Sequence, residues 1–153
     1  MKIQATHYSR TIEQNHTSRI KIDKPFTIQE NVEQQHTPVN YKELAQQYDV
    51  RNATFDEIKE ISNILYNAGE ISMKEHMLLI FDFGRATDYI KNIAPGTTAP
   101  HFDMYKTSAN EYGQRDWIAE IEARAADHFK FGNLIGYHTN SKILAILQKL
   151  DRE

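Results

Sequence analysis

The chain has 153 residues and no cysteine, and its 18 basic and 21 acidic residues give a formal net charge of -3. That length fits one domain with a compact core, and the mixed charge argues against binding of nucleic acid through a strongly basic face. Without cysteine, disulfides, thiol catalysis and cysteine-based zinc sites are excluded.

Residues 1–40 are rich in Gln, Thr, Asn and His and show no apolar period of 3.6 residues. This composition predicts a flexible N-terminal arm. An alternative is a short edge strand, since apolar and polar residues alternate over residues 19–28 and Pro25 would confine such a strand to the edge of a sheet. The arm also lacks the basic start and apolar block of a cleaved secretory signal.

Apolar residues recur at helical spacing after the arm. They predict a short first helix over residues 41–48 and a tight hairpin of two further helices over residues 54–81. The apolar stripe of the second helix is Phe55, Ile58, Ile61, Leu65 and Ala68. The third helix, which starts at Met73, is expected to bury Met77, Ile80 and Phe81.

The ends of the hairpin helices are marked by local motifs. Thr54 with Glu57, and Ser72 with Glu75, match the Ser/Thr-x-x-Glu capping box, in which side chains satisfy the backbone N–H groups that a helix start leaves unpaired. Gly69 is the expected end of the first hairpin helix, because glycine adopts the left-handed conformation at little cost.

A break follows the hairpin. Gly84 is expected to end the third helix, and a short helix is predicted over residues 85–94. The proline- and glycine-rich segment that comes next predicts a loop over residues 95–107. This loop would divide a helical domain, residues 41–153, into halves at residues 41–94 and 108–153.

The second half begins with the longest helical pattern in the chain, residues 109–131. Ser108 and Glu111 match a third capping box, and Gly132 is the expected end of the helix. After a loop at residues 133–140, the segment 141–150 predicts a terminal helix. The apolar face of the long helix is Trp117, Ile118, Ile121, Ala125, His128 and Phe129. Together these elements predict an all-α fold of four to six helices.

No motif identifies a catalytic residue, a cofactor or a metal. The histidines never pair at the His-x-x-x-His spacing, and no phosphate-binding glycine pattern is present. The triplet at residues 82–84, Asp-Phe-Gly, matches the metal-binding triplet of kinases, but the chain is too short for a kinase and the match is interpreted as coincidence. A small metal-dependent hydrolase that uses Glu120 or His101 is kept as an alternative.

Four carboxylates on the long helix are interpreted as a solvated face. Arg115, Arg124 and Lys130 lie among them, so ion pairing at the surface is favoured over an acid–base pair. Glu120 and Arg124 are four residues apart in the favourable order and are placed on the solvent side. The four carboxylates are Asp116, Glu120, Glu122 and Asp127.

Aromatic and apolar residues are the best candidates for contacting a partner. Trp117 is either a core anchor or an interface residue, since tryptophan is enriched at binding hot spots. The apolar run at residues 77–81 is wider than one packing face requires, and tyrosines near segment ends suit the rim of an interface. The candidate interaction residues are Trp117, Met77, Leu78, Phe81, Tyr105 and Tyr112.

The segment 65–75, Leu-Tyr-Asn-Ala-Gly-Glu-Ile-Ser-Met-Lys-Glu, resembles the turn of SHOCT-type short helical hairpins. In that family a helix ends in Ala-Gly and is followed by an apolar residue, Ser or Thr, and an acidic residue three positions later. The resemblance covers residues 61–81. It implies oligomerisation through the hairpin, although in that family the hairpin usually ends the chain, whereas here residues 82–153 follow it.

The sequence therefore predicts a small non-catalytic interaction or assembly protein, of bacterial or phage type, that acts through helical faces and the arm. Its partner would be another protein or a second copy of itself. The runner-up is a helix-turn-helix regulator that uses residues 54–81, with Lys74 facing DNA, but the apolar run at residues 77–81 leaves little polar surface for base edges. That run has five residues where a bilayer span needs roughly 20, so it is interpreted as core rather than membrane. Because the N-terminus lacks a cleavable signal, we expect a cytoplasmic protein, with export by another route as the open alternative.

Overall fold

The computed structural model describes residues 38–153. Within this part of the chain the backbone forms six helices and no β-strand, which confirms the predicted all-α fold. The arm predicted at residues 1–40 and its alternative edge strand lie outside the described residues, apart from the last three positions of the arm. No helix in residues 38–153 is long and apolar enough to cross a membrane. The helices are α1 Tyr41–Gln47, α2 Phe55–Asn67, α3 Met73–Leu79, α4 Phe83–Ile93, α5 Trp117–Lys130 and α6 Leu134–Leu150.

A shared hydrophobic core joins the first and second halves of the helical domain. Ile58, Ile61 and Leu65 of α2 are completely or almost completely buried, as are Ile143 and Leu147 of α6. All five belong to the same core cluster. Full burial of each such side chain stabilises the fold by roughly 1.5–3 kcal/mol. Helix α6 packs most extensively on α5, and it also contacts α1 and α3.

Both capping boxes of the predicted hairpin form. The backbone N–H of Thr54 donates to the Glu57 carboxylate at 2.7 Å, and the N–H of Glu57 donates back to the Thr54 hydroxyl at 3.3 Å. The backbone N–H of Ser72 donates to the Glu75 carboxylate at 2.6 Å, and Glu75 returns a bond to the Ser72 hydroxyl. The starts of α2 and α3 were therefore predicted correctly.

Gly69 ends α2 as predicted. Its φ angle is +75°, in the left-handed region, and its N–H donates to the carbonyl of Tyr66 at 3.0 Å. The N–H of Glu70 donates to the carbonyl of Leu65 at 2.9 Å. These two bonds make the Schellman motif, which satisfies carbonyls that the helix end leaves unpaired.

The prediction that α3 buries Met77, Ile80 and Phe81 was wrong. Met77 and Phe81 are exposed, Ile80 is only partly buried, and Leu79 enters the core instead. The physical reason is that α3 ends at Leu79, so Ile80 and Phe81 lie beyond its last turn. Within the helix the buried face is that of Glu75, His76 and Leu79, which leaves Met77 on the outside.

Gly84 does not end α3, so this prediction was also wrong. A new helix begins just before it, because the Asp82 side chain accepts the backbone N–H of Arg85 at 2.8 Å and serves as the N-cap of α4. Gly84 therefore lies in the first turn of α4. The short helix predicted over residues 85–94 is confirmed as Phe83–Ile93, and the Asp-Phe-Gly triplet is the start of that helix.

The long helix starts at Trp117 rather than at residue 109, so the predicted capping box of Ser108 and Glu111 does not form. The N-cap is Asp116, whose side chain accepts the N–H of Ala119 at 2.9 Å. Upstream, residues 110–114 close a turn in which Gly113 has a φ angle of +76°. A left-handed residue is incompatible with the interior of a helix.

Contacts distant in sequence hold this segment out of the helix. The N–H of Arg115 donates to the carbonyl of Ala53 at 3.0 Å, and the N–H of Trp117 donates to the carbonyl of Val50 at 3.0 Å. Both carbonyls belong to the link between α1 and α2. Helical periodicity within one segment cannot predict such bonds, which explains the failure of the prediction.

The loop predicted at residues 133–140 is helical instead. Gly132 ends α5 as expected, with a φ angle of +72°, and the Asn133 side chain then caps α6 by accepting the N–H of Gly136 at 2.9 Å. The polar residues that suggested a loop are accommodated inside α6. Asn140, for example, is completely buried and donates its side-chain N–H to the carbonyl of Gly136 at 2.8 Å.

The capping box of α2 should make folding stability depend on pH. The backbone N–H and hydroxyl of Thr54 both donate to the Glu57 carboxylate and hold its pKa below the ordinary value of 4.5. Because this pKa is lower in the folded state, the stabilisation is complete above about pH 4.5 and is lost as the pH falls through the folded pKa. Urea unfolding of the wild type and of Glu57→Gln across this pH range should show that the free energy of unfolding falls less steeply with acid in the variant. Coincident pH profiles would contradict this account of the cap.

Candidate interaction surface

A buried carboxylate connects α5 to the segment that precedes it. Glu120, which the sequence placed on a solvated face, is completely buried. It accepts the backbone N–H groups of Lys106 and Thr107 at 2.9 and 2.8 Å, the Thr107 hydroxyl at 2.8 Å and the Arg124 guanidinium at 2.7 Å. A second guanidinium, that of Arg115, lies 3.7 Å away. We call these five residues the Glu120 clasp.

Aromatic rings extend the clasp toward α4. The Arg124 guanidinium lies 3.5 Å from the centre of the Phe83 ring, and that of Arg115 lies 3.5 Å from the centre of the Tyr105 ring. The two rings meet edge to face with centres 5.7 Å apart. Burial raises the pKa of the Tyr105 hydroxyl, although the positive charges of Arg115 and Arg124 act in the opposite direction. The clasp therefore binds α4, the segment before α5 and α5 itself into one unit.

The placement of Glu120 was missed because the Glu-x-x-x-Arg spacing is the same for an exposed pair and a buried one. What buries the carboxylate is the backbone of residues 104–107, which folds over α5. The other carboxylates differ from it. Glu122 is exposed, Asp116 caps α5, and Asp127 forms a partly exposed ion pair with Lys106 at 2.6 Å, which lowers the pKa of Asp127.

A serine and a histidine lie together between α2 and α3. The Ser62 hydroxyl is 2.9 Å from Nδ1 of His76, and the Tyr66 ring stacks on the imidazole with centres 4.8 Å apart. A nucleophile must reach its substrate, but Ser62 is completely buried. We interpret the pair as a hydrogen-bonded core contact, which no local sequence pattern predicts.

The residues named for a hydrolase do not form an acid–base centre. Glu120 is occupied by the clasp, and His101 is exposed on the loop after α4. Asp103 accepts the backbone N–H of Tyr105 at 2.8 Å and so stabilises a local turn. Within residues 38–153, no three His, Asp or Glu side chains are grouped so that they could hold a metal ion.

The six predicted interaction residues occupy different environments. Trp117 is only 3% exposed, and its indole N–H donates to the carbonyl of Ala53 at 2.9 Å, which is the core alternative considered for it. Leu78 and Tyr105 are partly buried against the core. The exposed members of the set are Met77, Phe81 and Tyr112.

A larger apolar surface lies at the turn between α5 and α6. Four side chains that flank Gly132 are between 56% and 75% exposed: Phe129, Phe131, Leu134 and Ile135. We call these four residues the hairpin tip; the name refers to the α5–α6 pair and not to the α2–α3 hairpin. Sequence periodicity assigned Phe129 to a buried face, which was wrong because α5 extends past the core at this end. An available clue is the run Phe-Lys-Phe-Gly-Asn-Leu-Ile, in which apolar residues surround a helix stop and so cannot all share one helical face.

The turn that presents the hairpin tip is held by several local bonds. The N–H of Asn133 donates to the carbonyl of His128 at 2.8 Å and completes a Schellman motif at Gly132. The Asn133 side chain also donates to Nδ1 of His128 at 3.0 Å, since its oxygen is already the cap of α6. Gly136 packs so closely that an added Cβ would lie 2.7 Å from the His128 ring. The exposed apolar groups therefore sit on a well-defined turn.

Comparisons of the chain with protein families, characterised proteins and solved structures find no match.

The Glu120 clasp generates a stability prediction with a matched control on the same helix. Glu120→Ala removes a buried acceptor and leaves two guanidinium groups without their carboxylate, so we expect a loss of about 3–5 kcal/mol in the free energy of unfolding. Glu122→Ala removes an exposed carboxylate and should change this free energy by less than about 0.5 kcal/mol. Chemical denaturation of both variants measures the difference. Similar small losses in the two variants would show that the clasp contributes little to stability.

Proposed function

We propose that the protein is a non-catalytic assembly protein whose copies associate through the hairpin tip. The supporting observation is the exposure of four large apolar side chains on one short turn, Phe129, Phe131, Leu134 and Ile135. Single exposed apolar residues are common on monomers, but four of them within seven residues around one turn favour a binding surface.

The size of the surface fits a moderate contact. Aromatic side chains offer roughly 150–250 Å² each and large aliphatic ones about as much or somewhat less, so the four groups, which are 56% to 75% exposed, present on the order of 500 Å². This lies within the range of the largest, often functional, patches of monomeric proteins. A stable interface buries roughly 800 Å² per partner, so the polar rim of the tip must also take part.

A second copy of the chain fits this surface because a two-fold contact pairs a patch with itself. The four apolar side chains have no charge and are therefore complementary to their own copy. The rim contains both signs of charge, with Lys130 above the Phe131 ring at 5.5 Å and Asp127 paired with Lys106. Opposite charges can thus meet across the contact.

Two further features support an assembly role over a catalytic one. The completely buried carboxylate, Glu120, is held by structural hydrogen bonds, and the buried Ser62–His76 pair has no access to a substrate. In addition, the hairpin of α2 and α3 resembles SHOCT-type hairpins, which are associated with oligomerisation. That resemblance suggests α3, where Met73 and Met77 are exposed, as an alternative surface for self-association.

Sedimentation equilibrium of the full chain tests the proposal. The wild type should shift with concentration from 17.8 kDa toward twice that mass. The double variant Phe131→Ser, Ile135→Ser should stay monomeric, because serine removes most of the apolar surface that drives association. Both changes are at exposed positions and should alter the free energy of unfolding by less than about 0.5 kcal/mol each.

The matched control is Met73→Ser, Met77→Ser, which removes two exposed apolar residues from α3 and should dimerise as the wild type does. Loss of the dimer in this control, with retention in the tip variant, would move the contact to the α2–α3 hairpin and contradict the proposal. A wild type that stays monomeric up to about 1 mM would contradict self-association itself.

A further inference from the structure

A small groove with cationic walls lies beside the hairpin tip. Its volume is about 240 Å³, and its lining is Lys106, Arg124, Asp127, His128 and Phe131. Pockets that bind drug-sized ligands have volumes of roughly 300–1,000 Å³, so this groove suits a smaller ligand. Phe131 belongs both to the groove and to the tip, and gives the groove an apolar side.

Arg124 retains hydrogen-bonding capacity. Its Nε–H donates to the Glu120 carboxylate at 2.7 Å, and its Nη2 donates to the carbonyl of Met104 at 2.9 Å. These described bonds use two of the five N–H groups of a guanidinium. The arginine side chain is only 11% exposed and is fixed by its stack on Phe83, so its orientation is set before a ligand arrives.

Lys106 and Asp127 form an ion pair that lines part of the groove, and a ligand anion can replace the Asp127 carboxylate beside Lys106. The two side chains are 41% and 42% exposed and approach to 2.6 Å. Ion pairs of such exposure are weak, because water solvates both partners. A ligand carboxylate that displaces Asp127 would exchange one anion for another beside Lys106.

The hydrogen bonds around His128 indicate which of its ring nitrogens carries the proton. The Asn133 oxygen accepts the N–H of Gly136, so its nitrogen must be the group that donates to Nδ1 of His128 at 3.0 Å. With Nδ1 acting as an acceptor, the proton of the neutral imidazole is on Nε2. The groove lining thus combines an ammonium, a guanidinium, an imidazole and one carboxylate with one aromatic wall.

We propose that this groove binds an organic carboxylate attached to an apolar or aromatic group. The carboxylate takes the place of Asp127 beside Lys106 and accepts from Arg124, while the apolar group packs on Phe131. A free aromatic acid and the C-terminal carboxylate of a polypeptide that ends in an apolar residue share this chemistry. The proposal does not rest on self-association, because the carboxylate is held by Lys106 and Arg124; Phe131 is shared with the hairpin tip, so ligand and second copy would compete for that ring.

Titration of the ¹⁵N-labelled full chain with phenylacetate, followed by NMR, tests the site. Phenylacetate should shift the Arg124 and Lys106 signals in a saturable way, and phenylacetamide, which has the same ring without the charge, should not. Saturation by the amide at the same concentration, or no saturable shift with phenylacetate, would overturn the proposal.

Two variants with opposite expected effects make the test sharper. Asp127→Asn removes the competing carboxylate and should bind phenylacetate roughly two- to five-fold more tightly, a factor that matches the weakness of exposed ion pairs. Lys106→Gln should weaken binding by at least as much, and Lys91→Gln, on α4 outside the groove lining, should match the wild type. Circular dichroism checks that each variant is folded. An Asp127→Asn protein that binds no more tightly than the wild type would refute the displacement of Asp127.

A tripeptide, Ala-Ala-Phe with a free C-terminus, distinguishes the two sources of the carboxylate. Tighter binding of the peptide than of phenylacetate would assign the groove to a protein C-terminus. Tighter binding of phenylacetate would assign it to a free acid. Either result supports the carboxylate chemistry, whereas equal binding of the tripeptide amide would overturn it.

Discussion

The fold of the second half depends on one buried carboxylate. Glu120 is taken out of water, which is costly for a charge unless its oxygens are fully hydrogen-bonded. Here the backbone of Lys106 and Thr107 provides N–H donors and Arg124 provides the opposite charge. Because two of its four hydrogen-bond donors are backbone groups, the others being the Thr107 hydroxyl and Arg124, satisfying the carboxylate also fixes the path of the chain before α5. The stacking of Arg124 on Phe83 then connects that path to α4.

Local motifs in the sequence predicted the helix ends that depend on neighbouring residues alone. The capping boxes of α2 and α3 and the glycine at Gly69 behave as expected, since each bond spans only a few positions, whereas the third predicted box, Ser108 with Glu111, does not form. The start of α5 could not be predicted in this way, because bonds from residues 115 and 117 to the α1–α2 link decide it. The loop predicted at residues 133–140 was wrong for a related reason. Their glycine and asparagine resemble a loop, yet Asn133 is the cap of a helix and Asn140 is buried within it.

The candidate site was less predictable than the fold. Periodicity identifies an apolar face, but whether the core reaches that face depends on where the helix extends beyond its neighbours. Phe129 shows this, since it continues the apolar pattern of α5 and is nevertheless exposed at the turn. The same end of the hairpin contains the groove of Lys106, Arg124 and His128. Glu120 and the Ser62–His76 pair are thus engaged in structural hydrogen bonds, and the surface that we propose for binding lies at the α5–α6 turn.

The absence of cysteine from the chain permits a direct measurement of the proposed contact. A single Ile135→Cys substitution in the full chain places one thiol at the hairpin tip, and Met77→Cys places one on α3 as a control. A contact near a two-fold axis brings equivalent residues together, so mild oxidation of Ile135→Cys should give a covalent dimer far faster than oxidation of Met77→Cys. Equal cross-linking of the two variants, or preferential cross-linking through Met77→Cys, would contradict assembly through the tip.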